Sequence, residues 1–242
     1  MLNKPKKIVF IMTDTQRPDM LGCYGNKDLA TPHLDRLAAE GMRFDRAYTC
    51  TPVCGPARSA LFTGQYPHSN GSWTNGMPLG ATTKTIGERL QDQGLHTAYI
   101  GKWHLDGGDY FGMGRCPAGW DPEYWYDMRC FLEELTEQER RDSRSFHAMK
   151  AKGVTAADTY AHRCSNRAID FLSRHGHEDF LLVVSYDEPH GPCVCPEPYA
   201  SMYEHYEFPK SPNLWDTLEN KPEHQRIWAG DHLHVDKNDI KL

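Results

Sequence analysis

The stretch TPVCGPARSALFTG, residues 51–64, holds a thiol at Cys54 and a guanidinium at Arg58, with Pro56 between them. Several chemistries could use such a cysteine. A phosphatase-type thiolate needs an arginine six positions later so that one loop wraps the anion, but that position is Ala60. An iron–sulfur site with C-x3-C-x2-C spacing could start at Cys50 and Cys54, but the third position is Ala57. A zinc site from Cys50 and Cys54 has loose spacing and no evident second pair. The bland alternative is a small cysteine buried in a tight turn. Other groups able to act lie elsewhere. Asp14 closely follows the apolar run IVFIM, Lys102 and His104 flank Trp103, and His190 sits in SYDEPHG, where Asp187 and Glu188 could orient it. Each has an ordinary reading too: a capping aspartate, a solvated lysine, a structural histidine. Cys193 and Cys195 with His190 and His205 suggest zinc, but cysteines one residue apart rarely chelate the same ion.

The elements that must position these groups alternate between strand and helix. Ile8–Met12 reads as a buried strand. Residues 31–44, with Leu34, Leu37, Ala38 and Met42, have helical spacing, with Thr31 as cap, Pro32 in the first turn and Gly41 at the end. FDRAYT (44–49) reads as a short strand leading to Cys54. Residues 56–63 read as a short helix with Pro56 at its first position, placing Cys54 just before a helix N-terminus, where free N–H groups and the helix dipole favour an anion. Residues 82–94 form a second amphipathic pattern, 96–101 a strand and 156–176 the longest helix. FLLVVSYD (180–187) is a continuous apolar run of the kind buried on both faces of a parallel sheet. This order predicts an α/β layered fold, with 105–150 as an aromatic insertion over the sheet. Asp14 would then stand at the carboxyl end of a strand, where such sheets bind ligands.

Composition narrows the function classes. The chain has 242 residues, a net charge of −6 and 25% charged residues, with no block of like charge, which argues against nucleic-acid or membrane partners. The N-terminal apolar run is shorter than the roughly 7–15 residues of a signal-peptide core, so a cytoplasmic protein is expected. Eight dispersed cysteines in such a setting are expected to be reduced rather than paired.

Taken together, Cys54, Pro56, Arg58, Thr63 and Gly64 match C-x-P-x-R followed by T-G, which resembles the sulfatase signature. IVFIMTDTQRPD, TPHLDRLAAEGMRFDRAYT, GLHTAYIGKWHL and FLLVVSYDEPHGP resemble further segments of that family in the same order. The chain is thus identified as a member of the sulfatase branch of the alkaline phosphatase superfamily, similar to bacterial cytosolic sulfatases over about residues 5–228. The resemblance implies an alkaline-phosphatase-like three-layer α/β sandwich with a mostly parallel sheet. It also implies sulfate-ester hydrolysis by a formylglycine formed from Cys54 by a maturation enzyme. The aldehyde hydrate offers two hydroxyls: one attacks sulfur, and the other loses its proton to expel sulfate. By the same resemblance Arg58 bonds the modified side chain, Lys102 and His104 contact sulfate, and His190 protonates the leaving oxygen. A divalent cation, Ca2+ or else Mg2+, is held by Asp14 and the modified Cys54, with Thr15 or Gln16 where many sulfatases have another aspartate.

The family also has a later Asp-His or Asp-Asn pair after another strand. Asp231–His232 follows QRIWAG, a poor strand, and is not taken as that pair. The expectation is the N-terminal portion of a sulfatase catalytic domain over 1–242, lacking the C-terminal subdomain. Its substrate would be a small-molecule or saccharide sulfate ester, with Tyr110, Trp120 and Trp125 shaping the pocket. Such a chain should have negligible activity unless another chain completes the site. Phosphate or phosphonate ester hydrolysis, and a non-catalytic remnant, are the competing readings.

Overall fold

The three strongest apolar runs pair as a parallel sheet: β1 (Lys7–Met12), β2 (His96–Gly101) and β3 (Phe180–Ser185), in the order β1-β3-β2. The structure is a computed structural model describing residues 6–229 except 109, 192, 194, 208–212 and 214–215. The chain divides into two compact units, residues 1–197 and 198–242. The first carries the sheet and helices α1 (Pro32–Glu40), α2 (Cys54–Thr63), α3 (Pro67–Asn70), α4 (Ile86–Gln91), α5 (Met128–Glu133), α6 (Glu137–Asp142), α7 (Phe146–Lys152) and α8 (Tyr160–His175). In the second, α9 (Tyr199–Met202) and α10 (Glu223–Ala229) are described. Asp231–His232 and most of the closing stretch lie outside the described residues.

β3 is buried at all six positions, as its unbroken apolar sequence predicts for a central parallel strand. Its side chains alternate between two cores. Phe180, Leu182 and Val184 join Ala98 and Ile100 of β2 against Tyr160, Cys164, Ala168 and Phe171 of α8. Those four helix residues recur at helical spacing, so one stripe of α8 faces the sheet. Leu181, Val183 and Tyr99 face the other way, toward Phe62 of α2, Trp103, Leu105, Trp120 and Trp125, with Leu90 of α4 beside them. Helical segments therefore cover both faces, and the expected α/β layering holds.

Several local expectations change. β1 is an edge strand with Ile8 44%, Val9 45% and Ile11 60% exposed, not a buried one. Among the described residues nothing pairs with its outer edge. Leu34, Leu37, Met42 and Phe44 are likewise exposed, so the periodic face of α1 buries little. α1 runs from Pro32 to Glu40 with Thr31 at its N-cap position and Gly41 at its C-cap, as expected, but the Thr31 side chain makes no capping bond to the helix. The Thr31 hydroxyl instead accepts from Gly22 N and donates to Asp35. Residues 44–49 form no strand. The segment 82–94 contributes only α4, which Thr85 and Glu88 start with a reciprocal capping box. Trp120 and Trp125 are 3% and 8% exposed and belong to the core rather than to a pocket wall. No helix among the described residues is long and apolar enough to cross a membrane.

Candidate active site

The three strands end in register. Met12 pairs with Ser185, and Ser185 with Gly101, so the residues that follow emerge at one edge: Asp14, Lys102 and Asp187. Gly101 makes this possible. Its φ is +114°, and a Cβ there would lie 2.0 Å from Ser185 O. Glycine alone tolerates both demands. The Lys102 N–H then donates to Ser185 O at 2.8 Å, and the chain turns Lys102 inward.

Lys102 is 1% exposed, which removes the solvated-lysine reading. Its ammonium lies 2.8 Å from Asp14 Oδ2 and 3.0 Å from Asp187 Oδ1, and 4.2 Å from the centre of the Tyr110 ring. Arg58, 3% exposed, donates to Lys102 O at 2.7 Å, Ser185 Oγ at 2.8 Å and Asp14 Oδ2 at 3.1 Å. Among the described residues its bonds thus run to the strand ends and not to Cys54. Tyr99 and Ser185 hydroxyls also donate to Lys102 O, so this carbonyl ties α2, β2 and β3 together. Burial raises the Asp14 carboxyl pKa, but hydrogen bonding and charge from Lys102 and Arg58 outweigh it and hold the group below its usual value.

Cys54 is the first residue of α2, with Val53 as its cap, and Pro56 is third, not first. Proline fits there because the first helical N–H groups have no intrahelical acceptor. The Cys54 thiol lies 3.4 Å from Asn75 Oδ1, which also accepts from Gly55 N at 2.8 Å. Cys54, Asp14, Arg58 and Cys50 line one open cleft of about 420 Å³. Sequence reasoning misses Asn75, because no local pattern in SWTNGM reports a contact 21 residues away.

His104 is 6% exposed, has φ +59° and, among the described residues, finds no hydrogen-bond partner for its Nδ1. Burial, with Lys102 and Arg58 nearby, depresses its pKa to about 4, so the ring is neutral at pH 7. Tyr110 packs between the rings of His104 and His190, with centroids at 5.7 and 5.1 Å. The Tyr110 hydroxyl donates to Asp187, and burial together with that bond raises its pKa far above the usual value. His190 Nδ1 lies 3.0 Å from Tyr110 Oη and 2.9 Å from Gly191 O. Gly191 O can only accept and the Tyr110 proton goes to Asp187, so the imidazole proton sits on Nδ1. His190 is therefore oriented by Tyr110 and, through it, by Asp187. Glu188 takes no part in this: its Oε1 accepts from Ala161 N, and burial raises its pKa. The Cys193 and Cys195 thiols turn to neighbouring carbonyls, and all eight cysteines are free.

The expected cation ligands only partly fit. Asp14 is shared by two cationic side chains. The Thr15 hydroxyl donates to Asp14 Oδ1 at 3.1 Å, and Gln16 Nε2 donates to Arg17 O at 3.2 Å. Oxygen donors suit Ca2+ in kind, but one carboxylate with a hydroxyl and an amide falls short of the roughly six to eight oxygens Ca2+ takes. The described residues do not by themselves make that site.

Comparison with known proteins agrees with this architecture. The Sulfatase family pattern matches residues 6–226. The chain is 50% identical over 232 residues to the uncharacterised sulfatase YidJ of Escherichia coli K12, covering 93% of this chain and 47% of that protein. It is 29% identical to an N-acetylglucosamine-6-O-sulfatase of Bacteroides thetaiotaomicron, covering 99% of this chain and 41% of the relative. The chain thus spans about half the length of these relatives. BT4656, solved with its substrate D-glucosamine-2-N,6-O-disulfate, superposes with a TM-score of 0.69 at 25% identity over 92% of this chain and 42% of that one. A phosphonate monoester hydrolase of Agrobacterium radiobacter shares the fold, with a TM-score of 0.66 at 23% identity, covering 86% and 45% of the two chains. With its alkaline-phosphatase-like α/β fold and a matched region spanning nearly every described residue, the chain belongs to the sulfatase family.

Proposed function

We propose that these residues form the nucleophile-bearing half of a sulfuric ester hydrolase, with Cys54 converted to formylglycine by a maturation enzyme. The observation that carries this reading is the cleft joining Cys54, Asp14 and Arg58, with Lys102 buried beside Asp14, in a chain of the sulfatase family. The converted residue would supply the nucleophilic hydroxyl. A Ca2+ or Mg2+ ion would need more oxygen ligands than Asp14, Thr15 and Gln16 offer.

The chain's own residues have separable tasks. Lys102 and Arg58 provide buried positive charge for sulfate oxygens. Neutral His104 binds without adding charge. His190, with its proton fixed on Nδ1, presents Nε2 to carry a second proton toward the leaving oxygen. Tyr110 keeps its own proton and holds His190 in place. Beside His190 a second cavity, about 130 Å³, is lined by Tyr110, Phe111, Phe131, Arg144 and Met149, and it would receive the alcohol portion of the ester. The relatives' names point to a sulfated saccharide as that ester. We assign the protein to the bacterial cytoplasm.

Because the relatives are about twice as long, the 242 residues alone should give negligible turnover. The test joins them to the remaining half of the YidJ relative, with the maturation enzyme co-expressed and Ca2+ present. Hydrolysis of 4-nitrophenyl sulfate that exceeds hydrolysis of phenyl phosphonates, and that is lost in Cys54→Ala, is expected. Preference for the phosphonate would replace the sulfatase reading with the phosphonate one. Turnover by the isolated chain would refute the need for the second half.

A further inference from the structure

A second group of polar side chains lies at the opposite end of the sheet. His96 is the first residue of β2, His175 the last of α8, and Glu178 stands in the turn before β3. His96 and Gly101 are at opposite ends of one strand, so the group is roughly 16 Å from the strand end that carries Lys102. It is not the expected Asp14 site and shares no residue with it.

Glu178 presents one carboxylate oxygen to each imidazole. Its Oε2 is 3.0 Å from His96 Nδ1 and its Oε1 is 2.9 Å from His175 Nδ1. The two rings stand nearly perpendicular, 81° apart, with centroids 4.5 Å from each other. One ligand atom from each of the three residues lies within 4.8 Å of the others. The remaining nitrogen of His96 meets Asp121 Oδ2 at 2.6 Å. That pairing is the carboxylate–histidine arrangement, in which Nε2 keeps its proton toward Asp121; Nδ1 faces the acceptor-only Glu178 carboxylate, so a bound ion would take the place of the Nδ1 proton. His175 Nε2 is buried and has no partner among the described residues, so the polar contact of that ring is through Nδ1. Backbone bonds fix the scaffold: His96 N donates to Asp179 O at 2.8 Å, Glu178 N to His175 O at 2.9 Å, and Asp121 N to Thr97 O at 2.8 Å. The side chains of His96, His175 and Glu178 are 19%, 21% and 38% exposed, so solvent ions can reach them.

We propose that His96, His175 and Glu178 bind a Zn2+-class transition-metal ion, with Asp121 positioning His96. Two imidazoles and one carboxylate suit zinc rather than the all-oxygen preference of Ca2+. Three protein ligands leave a fourth position for water. The ion would pin the start of β2, the end of α8 and the approach to β3, where three separate backbone segments meet. Binding to the folded form alone would raise the melting temperature.

The test uses the metal-stripped chain in excess Ca2+, which occupies hard-oxygen groups, and reads no enzymatic activity. Co2+ titration should give one equivalent with tetrahedral visible bands, displaced by Zn2+. Asp121→Asn should weaken affinity by about 10–100-fold, and His175→Ala should abolish the bands. The X-ray absorption spectrum of the Zn2+-loaded wild type should fit a shell of nitrogen and oxygen alone, near 2.0–2.1 Å, with imidazole scattering. Absence of Co2+ binding at millimolar metal, or unchanged affinity in a folded His175→Ala, overturns the proposal. So does a sulfur shell near 2.3 Å, which would move the ion to the cysteines. If His175→Ala does not fold, the wild-type spectrum decides.

Discussion

Lys102 and Asp14 form an ion pair at 2.8 Å with side chains only 1% and 12% exposed, at the point where β1 and β2 end side by side with β3. Asp187 closes the pair into a triad from β3, 3.0 Å from the same ammonium. Removing the cation would leave two carboxylates buried together. Lys102→Met should therefore destabilise the fold by about 3–5 kcal/mol, read by urea unfolding. A loss below about 1 kcal/mol would mean that the carboxylates are hydrated and the triad is not a structural unit.

The same pairing sets an acid limit. Asp14 has a folded pKa below its unfolded value, so its contribution is present above the ordinary carboxylate range and is lost as pH falls through the lowered value. Glu188 and Asp127 are shifted upward by burial and act in the opposite sense, so the difference between two proteins is the clean measure. Melting temperatures of wild type and Asp14→Asn should differ most at neutral pH and converge as pH falls through the lowered carboxyl value. A constant difference would rule out linkage through this carboxyl.

His104 is shifted in the same direction, but by burial rather than by an ion pair. Its pKa falls from 6.5 to about 4 on folding, so the unfolded chain takes up the proton first. Between those values stability should decline as pH drops, by up to about 1.4 kcal/mol per pH unit from this ring. His104→Asn should flatten that segment of the profile, and the His104 ring resonances should stay those of neutral imidazole at pH 6. A ring that titrates near 6.5 would contradict the buried neutral histidine.

Gly101→Ala should be among the most damaging single changes, costing at least about 3 kcal/mol, because the new methyl meets Ser185 O at 2.0 Å with φ at +114°. Gly153→Ala is the control: its φ is also positive, at +63°, but nothing lies within 4 Å. There only the left-handed backbone opposes alanine, for about 1 kcal/mol. Equal losses in denaturant midpoints would show that the steric contact is unimportant.

Much of the scaffold is legible in residue order. The unbroken run of β3 announces burial on both faces, and Asp14, Lys102 and Asp187 all gain their place by following strands that end in register. What stays hidden depends on partners distant in sequence. The run IVFIM looks like a buried strand, yet whether a neighbour covers an edge is not encoded in the strand itself. Trp120 and Trp125 look like pocket aromatics in the sequence, but rings of that size equally fill a core, as both do here. Ser185, Asn75 and Tyr110 acquire their roles through bonds to residues at least 21 positions away. Pro56 marks the start of α2 only to within a turn, because proline is tolerated anywhere in the first turn, and the helix begins two residues before it.

The central claim is that Cys54 is a precursor, and the mass of the tryptic peptide containing it tests this most directly. With the maturation enzyme present during expression, conversion of the thiol to an aldehyde, with loss of hydrogen sulfide and gain of oxygen, should lower that mass by about 18 Da. Arg58→Ala, altering the recognised C-x-P-x-R pattern, should leave its own Cys54 peptide at the mass of the unconverted thiol. A wild-type peptide that keeps its full thiol mass would contradict the account.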